Sequence, residues 1–347
     1  MITCPLTTRE AVKAALDVAE TVRANAAIDE AIAAATETVE GTLHRTFRPY
    51  HDTKVFDWPH EIQPHKLWRL WLDANELISA TSITSGGTTL TTSDYELLPN
   101  SGPPYNQIRQ KDTATNGFSS GSSWMNSFSI VGLWGYRDDE ITAGQAAAAL
   151  TTTTATTLDV TDGSVVGVGD LLRIDTERLQ VTERTWLTTS TTITSDLSEA
   201  DRGRTVAVSD GTAFHVGEFI LIDSETMWIT SITGNNLAVR RAWDGSTLAA
   251  HSNGATVYAS RRLTVTRGAR GSTAATHLIS APIYRHVCPT LATRFCRAEA
   301  LVMLNAERAA YAMAGGSGNA ENPTSALVKI KDAAVTTLGR KVRMRSS

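Results

Sequence analysis

Apolar residues at helical spacing open and close this chain, and short alternating runs fill its middle. Thr7-x-x-Glu10 has the form of a capping box, in which hydroxyl and carboxylate satisfy free backbone N–H groups. Val12, Leu16, Ala19 and Val22 follow at helical spacing. Asn25 signals a second start, and behind it Ile28, Ile32, Ala35, Val39 and Leu43 form a long apolar stripe. The pair predicts a helical hairpin ending near Phe47. At the other end, Pro282 and Pro289 stand where a first helical turn tolerates proline. Leu291, Phe295, Ala298, Leu301, Val302, Leu304 and Ala309 then make an apolar face that Gly315-Gly316 stops. Asn322-Pro323 predicts the start of a last helix through Ala326, Ile330, Ala333 and Leu338, ended by Gly339.

Between about Lys54 and Tyr136 helical spacing gives way to strand-like runs, Leu67–Leu72, Ile78–Thr84 and Phe128–Leu133. Gly86-Gly87 and Pro103-Pro104 mark turns there. Gln145–Thr157, rich in Ala and Thr, reads as a linker. Beyond it the chain repeats itself. Val160-Thr-Asp162-Gly163 to Ile174-Asp175-Thr-Glu177 returns as Val208-Ser-Asp210-Gly211 to Ile222-Asp223-Ser-Glu225, at a constant offset of 48 (162 to 210, 174 to 222). A second repeat has an offset of 26 (237 to 263, 251 to 277). It matches Leu237–Arg241, Gly245-Ser-Thr247 and His251 to Leu263–Arg267, Gly271-Ser-Thr273 and His277. The fold class predicted is therefore α+β. A four-helix core is expected from a helical hairpin (1–48) and two C-terminal helices with a basic tail (282–347). A small β unit (49–145) and an inserted, repeated all-β domain (146–281) complete it.

The composition narrows the class. Over 347 residues, 41% are hydrophobic and 20% charged, enough for a core without disulfides or metal. A net charge of -4 argues against bulk attraction to nucleic acid. Cys4, Cys288 and Cys296 are an odd number without CxxC spacing, as in a reducing compartment. Met1–Pro5 lacks the basic-then-apolar pattern of a signal peptide, and no run reaches the roughly 18 apolar residues of a membrane span. A soluble protein made in a cytoplasm is expected.

Candidate chemistry is thin. His60-Glu61-Ile62-Gln63-Pro64-His65 is similar to the zinc-protease pattern HExxH. Its second His comes one residue late, however, and Pro64 breaks the helix that both ligands need. His286, Cys288 and Cys296 lie close in sequence without a second cluster to complete a zinc set. Asp162, Asp175, Glu177, Asp210, Asp223 and Glu225 resemble paired acids. Their duplication fits turns and strand faces better than one asymmetric active site, and His251 and His277 match in the same way. No phosphate-binding Gly loop or nucleophile elbow is present. The expectation is a protein without catalytic residues, cofactor or metal. Trp134 and Tyr136 are expected to close the β unit or meet a neighbour. Arg340, Lys341, Arg343 and Arg345 form either a solvated tail or a contact.

Three stretches together resemble the head-tail connector (adaptor) family of long-tailed bacteriophages. They are Ala31–Arg48 ending in GTLHRTFR, Leu70–Ile108 with DYELLP and PPY, and Ser129–Tyr136, SIVGLWGY. The Arg267–His277 segment is similar to an element that recurs in phage structural proteins. The resemblance covers about 1–140 and 280–347. It implies a virion protein of the neck, assembled in the host cytoplasm as a closed ring of about twelve copies. Its implied partners are the portal protein, neighbouring copies, a tail-side stopper or terminator and, transiently, packaged double-stranded DNA, with no membrane. The basic tail would meet portal or DNA. The alternative is a virion-surface host- or glycan-binding β protein, for which Trp186, Trp228 and Trp243 are the candidate aromatics.

Overall fold

The structure, a computed structural model, describes residues 4–16, 25–59, 67–199, 205–314 and 324–339, with backbone only for 307–314 and 324–326. The expected helix stop Gly315-Gly316, the expected helix start Asn322-Pro323, Ala19 and Val22 of the first apolar run, the His60–His65 stretch and the basic tail Arg340, Lys341, Arg343 and Arg345 lie outside the described residues.

The chain runs α1 (Arg9–Lys13), α2 (Asn25–Leu43), then β1 (Tyr50–Phe56), β2 (Arg69–Trp71), β3 (Leu77–Ser85), β4 (Thr88–Leu90), β5 (Tyr95–Leu98), β6 (Gln107–Gln110) and β7 (Phe128–Trp134). Next come β8 (Glu140–Gln145), β9 (Thr157–Asp159), β10 (Leu171–Ile174), β11 (Glu177–Thr192), β12 (Thr205–Ala207), β13 (Phe219–Ile222), β14 (Glu225–Thr233), β15 (Asn236–Arg240), β16 (Thr256–Thr266) and β17 (Pro282–His286). Helices α3 (Thr290–Ala314) and α4 (Thr324–Leu338) close the chain. Two compact units result: 44–139 with 270–272, and the remainder.

The expected four-helix core is not what forms. Strand makes up 38% of the structure, in three sheets, one of them with ten strands, and helix only 21%. The reason lies in how many apolar residues each part buries. The helices bury Ile28, Ile32, Val39, Leu43 and Phe295 beside their alanines, but the strand regions bury far more, among them Leu70, Leu77, Phe128, Trp134, Leu172, Ile174, Ile220, Ile222 and Leu263, so most of the apolar burial is theirs. Helix α1 has five residues, too short for one arm of a hairpin. Its cap is Thr8, whose side chain accepts from the Ala11 N–H, while Glu10 accepts from the Val168 N–H rather than closing a capping box on Thr7.

In the smaller unit β1-β7-β3-β4 form an antiparallel sheet, with Gly86 and Gly87 at positive φ in the β3–β4 turn, and β2-β6-β5 form a second. Phe56, Trp58, Leu70, Leu72, Leu77, Ile83, Ile108, Phe128, Ile130 and Trp134 fill the core there. Asp94 is fully buried and accepts from the N–H groups of Thr91, Thr115 and Asn116, which holds its carboxyl well below the usual range and ties two loops together.

In the larger unit the ten-stranded sheet runs β12-β15-β14-β13-β16-β11-β10-β17-β8, and β9 pairs with β16. Pro282, read above as a helix start, is instead the first residue of β17, a position where a strand tolerates proline. The supposed linker contributes to the core. Ala146 and Leu150 are buried and bridge to Val160 and His277. Helices α2, α3 and α4 pack on one another in the same unit. There Thr36 of α2, fully buried, receives the Leu6 N–H and lies 3.5 Å from the Cys296 sulfur of α3.

Candidate functional site

The repeated segments build the same constellation twice. Asp175 sits at φ 52° in the turn between β10 and β11, and Asp223 at φ 51° in the turn between β13 and β14. Two residues on, Glu177 and Glu225 begin the following strands with both carboxylates fully buried. Arg267 grips Glu177 through Nε and Nη2, both at 2.7 Å, and Arg241 grips Glu225 at 3.0 and 2.6 Å. The N–H groups of Gly268 and Ala275 donate to Glu177 at 2.9 Å. Those of Ala242 and Ala249 donate to Glu225 at 2.9 and 3.1 Å.

A histidine completes each set. His277 places Nε2 2.8 Å from Glu177 and Nδ1 2.9 Å from Asp175, and His251 places Nε2 2.9 Å from Glu225 and Nδ1 2.7 Å from Asp223. Each ring therefore spans the aspartate and the glutamate of its own hairpin. The histidine backbones are bridged to Leu150 and Leu197, each by two hydrogen bonds. Burial alone would push the Glu177 carboxyl up. Arg267, the two backbone donors and His277 outweigh it and bring it down to about 2. Glu225 is lowered for the same reasons.

Each arrangement is a closed brace. Two oxygens of Glu177 receive five donors, which leaves no acceptor for an outside molecule, and Arg267 is further engaged with the carbonyls of Thr152 and Ala155. What it can do is fasten the loop after β16 or β15 to the turn of a hairpin. Charge-assisted, bidentate bonds suit that task because they fix geometry as well as add strength.

The expected turn role holds for Asp162 and Asp210. Each accepts from the N–H and hydroxyl two residues on, Ser164 and Thr212. Sequence reasoning did not find Arg241 and Arg267, nor the link from Glu to His. The signal was the conserved pair of offsets, which set Arg, Glu and His at equivalent places in both copies.

Trp134 is fully buried and donates from Nε1 to the Asp52 carbonyl at 3.0 Å. Tyr136 is half-buried, edge-on to Phe47 at 5.6 Å and under the Arg45 guanidinium at 4.4 Å. Of the aromatics singled out in the repeat, Trp228 and Trp243 meet with ring centres 5.2 Å apart. Their third member is Phe219, not Trp186. His286 and Cys288 are neighbours at 3.8 Å, whereas Cys296 lies against Thr36. Among the described residues no group of three or more His, Cys, Asp or Glu side chains is arranged to hold a metal ion, and no helix is long and apolar enough to cross a membrane.

No family model, curated protein or solved structure matches the chain.

Proposed function

We propose that this chain is a structural head-tail connector of a tailed phage, a non-enzymatic subunit that stacks in a ring of about twelve copies beneath the portal. The observation that carries the reading is the ordered likeness of Ala31–Arg48, Leu70–Ile108 and Ser129–Tyr136 to that family. The geometry adds support. Helices from both ends of the chain pack together, and the buried carboxylates of Glu177 and Glu225 are spent on bracing, as suits a part under mechanical load. In this role the subunit extends the DNA channel, touches the packaged duplex in transit and offers a platform to a stopper or terminator. The basic residues Arg340, Lys341, Arg343 and Arg345 would face portal or DNA.

The virion-surface alternative asks for open aromatic faces. Trp243 is only 4% exposed, and Phe219 and Trp228 are half-buried, which favours the connector. Electron microscopy of the protein mixed with the portal from the same source tests the proposal. An added ring at the narrow end of the portal is expected, and its loss on deleting 340–347 would assign the tail a portal contact. Two folded proteins that do not associate would overturn the connector reading and bring the surface-binding one forward.

A further inference from the structure

The two braces belong to two copies of one small β fold, and the copies run in opposite order along the chain. In their first halves one copy leads: Leu158, Val160, Leu172 and Ile174 precede their counterparts Val206, Val208, Ile220 and Ile222. In their second halves the other leads: Leu237, Val239 and Val257 precede Leu263, Val265 and Ile283. This order arises when one whole copy lies within a hairpin of the other.

The join is visible in the ladder. Thr188 pairs with Tyr258 and Thr191 with Val257 on β11 and β16, so both ends of the inner copy leave side by side on a two-stranded ribbon. The register shifts between Thr185 and Leu187 and again between Thr188 and Thr191, where one copy gives way to the next. The two hydrophobic cores share no residue. Left-handed backbone recurs in step: Gly268, Arg270 and Gly271 at φ 57°, 56° and 78° match Ala242, Asp244 and Gly245 at 52°, 54° and 77°. Beyond the shared strands β11 and β16, the Gly163 N–H donates to Glu218, and Arg184 reaches Ser260 and the face of Phe219.

We infer that residues 187–259 are a duplicate of the β fold that surrounds them, inserted whole, and that this inner copy opens and closes as a cooperative unit of its own. A fold whose ends meet in a ladder can be inserted at a hairpin without breaking its host. Separate cores and separate braces give each copy its own local opening equilibrium. The inference does not depend on the connector reading. In a ring subunit, though, it would make the inner copy an added surface whose local opening leaves the host fold closed.

Hydrogen exchange on the full chain tests it. Glu225→Gln should speed amide exchange at least tenfold in 205–239 while 157–181 and 263–283 keep their native rates, and Glu177→Gln should do the reverse. Ala242→Gly, which relieves strain and keeps the fold, should slow exchange in the inner copy alone. If any of these substitutions changes both copies by the same factor, the copies form one cooperative unit and the inference fails.

Discussion

Ala242 and Gly268 hold the same left-handed backbone, φ 52° and 57°, at equivalent points of the two copies, just after the arginine of each brace. Both N–H groups donate to the braced glutamate at 2.9 Å, so neither backbone is free to relax. A side chain at this φ costs roughly 1–2 kcal/mol, part of which is returned because glycine loses more freedom on folding. Ala242→Gly should therefore stabilise the protein by about 1 kcal/mol, and Gly268→Ala should destabilise it by a similar amount. Calorimetric melting of the two variants checks both signs.

Removing one partner of a buried ion pair strands the other. Glu177→Gln removes the charge opposite Arg267 and turns one of the two acceptor oxygens shared by Arg267 and His277 into a donor, and Glu225→Gln does the same to Arg241 and His251. Each substitution should cost about 3 kcal/mol in urea unfolding. The double variant should lose close to the sum, because the braces share no residue.

The same glutamates set an acid limit. A carboxyl held below its unfolded value adds stability that is complete above that value and is lost as pH falls through the folded one. For Glu177 the window runs from about 4.5 down to about 2, and Glu225 acts in the same direction. Burial raises Glu10 instead, so that group acts in the opposite sense. Unfolding free energy should decline from pH 4.5 towards 2, and Glu177→Gln should flatten the slope. An unchanged slope in that variant would remove Glu177 from the account.

Helix α1 docks on the outer copy through a glycine. A Cβ on Gly167 would lie 2.5 Å from a Glu10 carboxylate oxygen and 2.7 Å from Thr8 Cβ. In the inner copy the equivalent residue is His215, and the next, Val216, is 56% exposed, whereas Val168 beside α1 is 7% exposed. Arg9 pairs with Asp29 and Glu183, and Lys13 with Asp244, so the displaced helix would carry several ion pairs with it. Gly167→Ala should cost about 1–3 kcal/mol, the usual range for overpacking. It should also speed amide exchange at 9–14 ahead of the strands.

These relationships were unequally legible in the sequence. The α2 stripe from Ile28 to Leu43 was plain because helical spacing repeats over several turns. The repeats were plain because offsets are exact. The contact between Glu177 and His277, a hundred positions away, was not, since a repeat shows equivalence and not proximity. Ala146 and Leu150 were lost among threonines, where two apolar residues make no period. Arg9 and Lys13 are buried although charged residues ordinarily read as surface. The fold class failed on weighting: the long helices gave the strongest pattern, while the short strands, each weak as a signal, together make 38% of the structure against 21% helix.

Trp134 separates the two roles expected of the Gly-Leu-Trp-Gly-Tyr segment, closure of the β unit and contact with a neighbour. Its ring is fully buried among Phe56, Leu77 and Ile130, and its N–H meets the Asp52 carbonyl at the edge of β1. Phenylalanine would keep most of the packing and leave that carbonyl without its donor, at about 1 kcal/mol. Alanine would open a cavity and cost about 3–5 kcal/mol. Tyr136 is half-buried, so Tyr136→Ala should disturb the fold far less, losing chiefly the contacts with Arg45 and Phe47. Urea unfolding paired with sedimentation of the ring proposed above distinguishes the roles. Trp134→Phe should lower stability and leave assembly intact, whereas loss of the ring in Tyr136→Ala at near-native stability would assign the neighbour contact to the tyrosine. Equal assembly in both variants would remove the segment from the interface.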